Sequence, residues 1–246
     1  ERGQLDLDQP VSRYWPGFEG DGKEGITVRM LLNHRAALPA LRDELPGDAL
    51  FDWQRMTAAL EAEKPWWTPG SKHGYHAVTY GWLVGEVIKR ISGKMPGAFI
   101  QDEIAGPLGL DFHLGMDAAH DARTAEMTPP PMEPPNNDEP ALLAMILENS
   151  DSATAKAFIN PPTLLEPGVV NSRTWRGAEI PAANGHTNAR ALARLYGALA
   201  CGGSLDGHEL LSVETIAGCH SEESQGPDEV LVLETRFGPG FMLSQK

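Results

Sequence analysis

A chain of 246 residues with 41% hydrophobic side chains can bury a sizeable core as one large domain or two small ones, which excludes wholesale disorder. Its formal charge of −14 disfavours nucleic-acid partners and acidic membrane surfaces, since both are held by clustered Lys and Arg. Two cysteines build neither a disulfide scaffold nor a Cys-rich zinc motif, and 26 glycines with 20 prolines argue for many turns rather than a simple helical bundle.

In chain order, Leu5, Leu7, Val11 and Tyr14 read as the end of a helix passing into an irregular connection at Trp15-Pro16-Gly17-Phe18. Residues 19–25 hold only acids, glycine and Lys23, and are expected to form a solvated turn. Thr27 is a candidate N-cap for a short buried helix through Met30, Leu31 and Leu32 that ends near Ala37. Phe51, Trp53, Met56 and Leu60 have helical spacing that breaks at Pro65, before the Pro69-Gly70 turn. The clearest helix is expected from about Tyr75 to Ser92. Val78, Trp82, Leu83, Val87, Ile88 and Ile91 share one broad face, Lys89 and Arg90 fall in the last turn, and Gly93 supplies the stop. Gly81 and Gly85 would let another backbone approach that helix closely.

A further helix is expected over Ala98–Ile104. Residues 127–140 are rich in proline, which favours extended structure and reads as a loop laid over the surface in preference to a docking motif. Helices are expected at Leu142–Leu147 and Thr187–Ala200, the second stopped by Gly202-Gly203, and residues 231–243 alternate as strands. Cys201 and Cys219 read as small semi-buried hydrophobes. No apolar run approaches the length that spans a bilayer. The chain begins at Glu1 without a methionine, and Phe241–Lys246 reads as a strand cut short, so a fragment is expected.

Several catalytic signatures are weak or missing. There is no Gly-x-Ser-x-Gly elbow. Gly20, Gly22 and Gly25 spell Gly-x-Gly-x-x-Gly, but Asp21 and Glu24 in that loop would repel phosphate. His73 and His76 could share a helical face as metal ligands, yet no obvious third ligand is placed, so a zinc site is not expected. His34, His113, His120, His208 and His220 read as surface or capping residues.

The informative stretch is residues 67–93, WTPGSKHGYHAVTYGWLVGEVIKRISG. A Trp-x-Pro-Gly turn delivers Tyr75 to the expected helix start, where the dipole would help a phenol of pKa near 10 to act as a base. On spacing alone the stronger reading of Tyr75 is a half-buried core tyrosine with a satisfied hydroxyl.

The pattern of that stretch resembles the serine β-lactamase-like superfamily, which includes class C β-lactamases, penicillin-binding DD-peptidases and family VIII carboxylesterases. Residues 2–18 (RGQLDLDQPVSRYWPGF), 26–39 (ITVRMLLNHRAALP), 107–115 (PLGLDFHLG) and 188–207 (NARALARLYGALACGGSLDG) are similar to other segments of that family in the same order. The resemblance implies an α/β sandwich of β-lactamase/transpeptidase type with a helical domain, its sheet incomplete in this fragment. Residues 1–246 would form a single domain, mostly helical over about 26–200 and partly sheet over about 201–246. It also implies an acyl-enzyme on a Ser-x-x-Lys serine, with a tyrosine sharing the proton transfer, and carries that catalytic role onto Tyr75. No metal or organic cofactor is implied.

Three departures matter. No Ser-x-x-Lys occurs in these residues, and the resemblance places it before Glu1. The later Lys-Thr-Gly or His-x-Gly strand motif is also missing, its one match at His113-Leu114-Gly115 falling too early, so it is expected after Lys246. The chain alone is therefore expected to be inactive. Finally, the lactamases and peptidases carry an amide-bearing asparagine two residues after the tyrosine, where this chain has Tyr75-His76-Ala77. Ala77 cannot make that hydrogen bond, which favours ester over β-lactam substrates. His76, Ala77, Leu41 and His186 are the candidate substrate-binding residues, with Leu41 on the acyl side. At 182–188, Asn184 is expected to turn the chain and Thr187 to cap the following helix. The expected function is a serine carboxylesterase acting on a small-molecule ester. A non-catalytic relative that kept the fold, or an acyltransferase on the same machinery, are the alternatives.

Overall fold

The structure, a computed structural model, describes residues 2–128, 146 and 148–245. Residues 2–10 form no helix, contrary to expectation. The segment lies alongside residues 26–29, with Val11 N–H donating to Ile26 O, Val28 N–H to Gln9 O and Arg29 N–H to Leu7 O. Backbone groups used in this way leave only one 3-10 turn, Val11–Arg13. Residues 19–25 form the expected turn, but Lys23 is buried, its Nζ donating to the carbonyls of Glu61 at 2.5 Å and Glu63 at 2.7 Å.

Helix α1 (Val28–Leu32) starts where Thr27 Oγ1 accepts the Met30 amide at 3.3 Å. It stops short of Ala37 because His34 adopts a left-handed φ of +62°, with the amides of His34 and Arg35 folding back to Leu31 O and Met30 O. That is the paired closure usually built on glycine, here built on histidine. Helix α2 (Trp53–Ala62) is capped by Asp52, which accepts from the Arg55 amide.

Helix α3 (Thr79–Ser92) ends at Gly93, φ +72°, as expected, but begins four residues after Tyr75. The amides of Tyr75 and His76 bond the Asp228 carboxylate and the His34 ring, so the chain before Thr79 is held open by distant partners. Gly81 does let a backbone in: a Cβ there would lie 2.5 Å from Ala182 N, while Gly85 faces the ring of Trp53. On the same helix Glu86 is buried and accepts from Trp53 Nε1 at 2.6 Å, Arg90 Nε at 2.7 Å and Lys89 Nζ at 3.1 Å. Burial alone would raise its pKa, but the bonds from Trp53, Arg90 and Lys89 outweigh it and hold the carboxyl below the ordinary glutamate value.

Residues 96–108 form one longer helical run than expected, Pro96–Ile100 and Gly106–Leu108 joined by a π-turn at Gln101–Ala105. Asn184 turns the chain, its side chain joining Ile180 N to the carbonyls of Trp175 and Ala178. The helix Ala189–Ala200 is capped by Asn188 rather than Thr187, which pairs in a strand instead. Cys201 is exposed, against expectation, and Cys219 is half-buried. The proline-rich segment from residue 129 and most of the helix expected at 142–147 lie outside the described residues.

Strands β1 (Phe112–His113) and β2 (His186–Thr187) pair antiparallel, as do β3 (Ser204–Leu205) and β4 (His208–Glu209). The C-terminal sheet is β5 (Ser224–Pro227), β6 (Glu234–Gly238) and β7 (Phe241–Met242), in sequential antiparallel order. The main core joins Val11, Trp15, Phe18 and Ile26 to α1, α2 and α3 through Leu31, Met56, Leu60, Trp82 and Leu83. Among the described residues no helix is long and apolar enough to cross a membrane.

Candidate active site

Two loops form the scaffold beneath Tyr75. Residues 34–40 lie beside 66–79, joined by Trp66 N–H to Ala37 O at 2.8 Å, Gly70 N–H to Arg35 O at 2.9 Å and Gly74 N–H to His34 O at 3.1 Å. His76 completes the seam. Its Nε2 accepts the Leu38 amide at 3.1 Å, its Nδ1 donates to Gly74 O at 2.7 Å, and it is 1% exposed. Thr79 adds a hydroxyl bond to Leu38 O.

Tyr75 emerges half-buried from this seam into a ring of aromatic and imidazole groups. His34 lies 5.1 Å from it between ring centroids, and Phe237 of β6 lies 6.1 Å away with planes 9° apart. His34 also meets Tyr80 at 4.8 Å and Phe237 at 4.5 Å. The apolar side is made by Ala40, Ala157 and Val230 with Trp66, Trp67 and Phe158. From the sheet side, Asp228 accepts the Tyr75 amide at 3.0 Å, and Thr235 bridges Asp228 to His73.

Low polarity sets the ionisation of this cluster. Burial, then the neighbouring His76 and His73, hold the His34 pKa well below its ordinary value. Burial takes His76 down to about 4 and lowers His73 against the opposing pull of Asp228. These imidazoles are neutral at pH 7, each with one nitrogen free to donate and one to accept. The Tyr80 phenol is pushed up to about 12, chiefly by burial and further by Tyr75, so it stays protonated.

The candidate residues divide among several places. Ala77 follows Tyr75 directly after His76 and is half-buried against both the main core and the apolar side of the tyrosine. Leu41 is buried in the main core, accepts at its carbonyl from Asn160 Nδ2 at 2.9 Å, and lines a small cavity with Arg42, Leu45, Ala59 and Glu63. His186 lines a separate cavity of about 530 Å³ with Asp111, His113, Arg123, Arg176 and Asn184. Neither cavity includes Tyr75. His73 and His76 share no helical face, and among the described residues no group of three His, Cys, Asp or Glu side chains could hold a metal ion.

His34, expected at the surface or in a cap, does close the end of α1, but its ring is buried at the centre of the cluster. Sequence pattern alone does not single out Asp228, Thr235 or Phe237 as site residues. Phe237 sits in a recognisable strand pattern, whereas nothing local marks the link from Asp228 to Tyr75, which spans 153 residues.

A half-buried tyrosine lies at the seam between a helical body and an antiparallel sheet, ahead of α3, and the chain has the α/β fold of β-lactamase/transpeptidase type. The chain belongs to the Beta-lactamase family, whose model matches residues 1–246. It is 36% identical over 248 residues to the Esterase/beta-lactamase LipL of Mycobacterium tuberculosis, covering 98% of this chain and 56% of that protein. Among solved structures it is similar to a penicillin-binding protein homolog from Caulobacter crescentus, with TM-score 0.84 and 38% identity over 98% of this chain and 61% of that one. A family VIII carboxylesterase superposes with TM-score 0.83 and 34% identity, covering 99% of this chain and 62% of the other. EstA from Arthrobacter nitroguajacolicus gives 0.81 and 32%, covering 99% and 63%. The chain thus spans between half and two thirds of the length of these relatives. The expected family and fold class both hold.

Proposed function

We propose that this chain belongs to a serine carboxylesterase that works through an acyl-enzyme on short-chain esters. The observation that carries the reading is Tyr75, presented from a rigid seam and followed two residues on by Ala77. The names of the similar proteins, an esterase/beta-lactamase and a family VIII carboxylesterase, support the ester-cleaving branch. Tyr80 is a poor base candidate because burial holds its proton more tightly than in an ordinary tyrosine.

In this reading a serine of a Ser-x-x-Lys motif outside residues 1–246 attacks the ester carbonyl. Its proton passes to the Tyr75–lysine pair and then to the departing alcohol. Water hydrolyses the acyl-enzyme with the same groups reversing roles. Two backbone N–H groups, one from the serine and one from a strand beyond Lys246, would hold the oxyanion. Ala77 offers no amide to the acylamino group of a β-lactam, which lowers discrimination in favour of that substrate. The test is hydrolysis of p-nitrophenyl butyrate by the full-length protein and its Tyr75→Phe variant. Loss of turnover by a factor on the order of 10² supports a place in the proton path, and a change below about threefold returns Tyr75 to a packing role.

A further inference from the structure

We infer that Asp228 is a positioning residue for Tyr75, acting through the tyrosine's backbone amide; this rests on the reading of Tyr75 just given. Asp228 is 2% exposed, and a buried carboxylate is tolerated only when its oxygens are well supplied with donors. Here they are. Oδ1 accepts the amides of Tyr75 at 3.0 Å, Val230 at 2.8 Å and Leu231 at 2.9 Å, and Oδ2 accepts the Thr235 hydroxyl at 3.0 Å. Because the Thr235 proton is committed to Asp228, the 2.8 Å contact between Thr235 Oγ1 and His73 Nε2 requires the imidazole to donate.

Three of the four donors belong to the connection between β5 and β6 or to β6 itself. The Tyr75 amide alone comes from the helical side. Oδ1 therefore gathers the tyrosine and the 230–231 turn onto one atom, while Phe237 from the same hairpin fixes the ring. Backbone and ring of Tyr75 are both referenced to the sheet. A tyrosine hydroxyl sits far enough from its own amide that a small rotation there displaces the oxygen by about 1 Å, a misplacement that can cost as much as about 10²-fold in rate.

The experiment measures kcat, KM and Tm for p-nitrophenyl butyrate hydrolysis in the full-length protein. Asp228→Ala is expected to lower kcat at least tenfold with KM within about threefold, a range set by mispositioning rather than lost binding. Asp228→Asn keeps an oxygen for the Tyr75 amide and should restore kcat to within about threefold of the parent. Thr154→Val is the control: it removes a 2.8 Å bond to Val230 O on the same turn and should lower Tm while kcat stays within about threefold. If alanine prevents folding, Asp228→Glu, which displaces the oxygens by one methylene, should lower kcat at least fivefold by about the same argument. Two results would overturn the inference: wild-type kcat in Asp228→Ala, or in the folded Asp228→Glu, and a kcat loss in Thr154→Val as large as in Asp228→Ala. Tyr75→Phe is run alongside. Full activity there removes the functional reading and this inference with it, whereas an inactive Tyr75→Phe beside an active Asp228→Ala overturns the positioning role alone.

Discussion

The rings of Tyr75 and Phe237 lie 9° from parallel with centroids 6.1 Å apart, so one residue of the helical side rests against one of the sheet. Tyr75→Phe keeps that arrangement and removes only the hydroxyl. In the full-length protein it should lower ester turnover by a factor on the order of 10² or more. The Tm should move little. Phe237→Ala, at a fully buried position, should instead destabilise by about 3–5 kcal/mol, read by denaturant unfolding.

The substrate prediction follows from Ala77. The full-length protein should hydrolyse p-nitrophenyl butyrate with a kcat/KM at least about 10²-fold above its value for a cephalosporin, because the amide contact is absent. Comparable efficiencies would show that selectivity is set elsewhere in the pocket.

Two glycines on different helices should respond in opposite directions to alanine. A Cβ at Gly81 meets the Ala182 backbone nitrogen at 2.5 Å, so Gly81→Ala should cost about 1–3 kcal/mol through overpacking. Nothing lies within 4 Å of a Cβ at Gly197, inside the helix Ala189–Ala200. Gly197→Ala should stabilise by about 0.4–1 kcal/mol, chiefly by restricting the unfolded chain. Chemical denaturation of both variants checks the signs.

Acid should unfold the protein in a range set by its histidines. His34, His73 and His76 all have folded pKa values below 6.5, so below that pH the unfolded chain takes up protons that the folded chain refuses. Their contribution is complete above pH 6.5 and falls as pH drops towards about 4, where His76 itself titrates in the fold. His76→Gln should flatten the stability slope in that window by at most about 1.4 kcal/mol per pH unit. An unchanged slope would mean that His76 is protonated in the fold. Glu86 adds a lower step: its folded pKa is lowered, so its contribution is present above the ordinary glutamate value and is lost as pH falls through the folded one.

Periodicity made much of the helical body legible. The interior of α3, the cap at Thr27, the stop at Gly93 and the strand alternation near Phe237 are local signals, and each appears where the sequence placed it. The errors fall at ends and at distant partners. Spacing extended α1 to Ala37 and started α3 at Tyr75, because Ala37, His76 and Ala77 do not break a helical pattern. What breaks it is tertiary: a left-handed His34 and amides claimed by Asp228 and the His34 ring. The burial of His34 is illegible locally for the same reason, since the aromatic ring that buries it is assembled from residues 75, 80 and 237.

The separation between Tyr75 and Asp228 also has a consequence in time. At ribosomal rates of about 5–20 residues per second, the 153 positions between them correspond to roughly 8–30 s of synthesis. During that interval the tyrosine has left the ribosome's active centre while its carboxylate anchor and its aromatic wall are still unmade. The phenol is synthesised early and oriented late, and a nascent chain stalled before residue 228 would carry a helical body whose reactive corner has not yet been set.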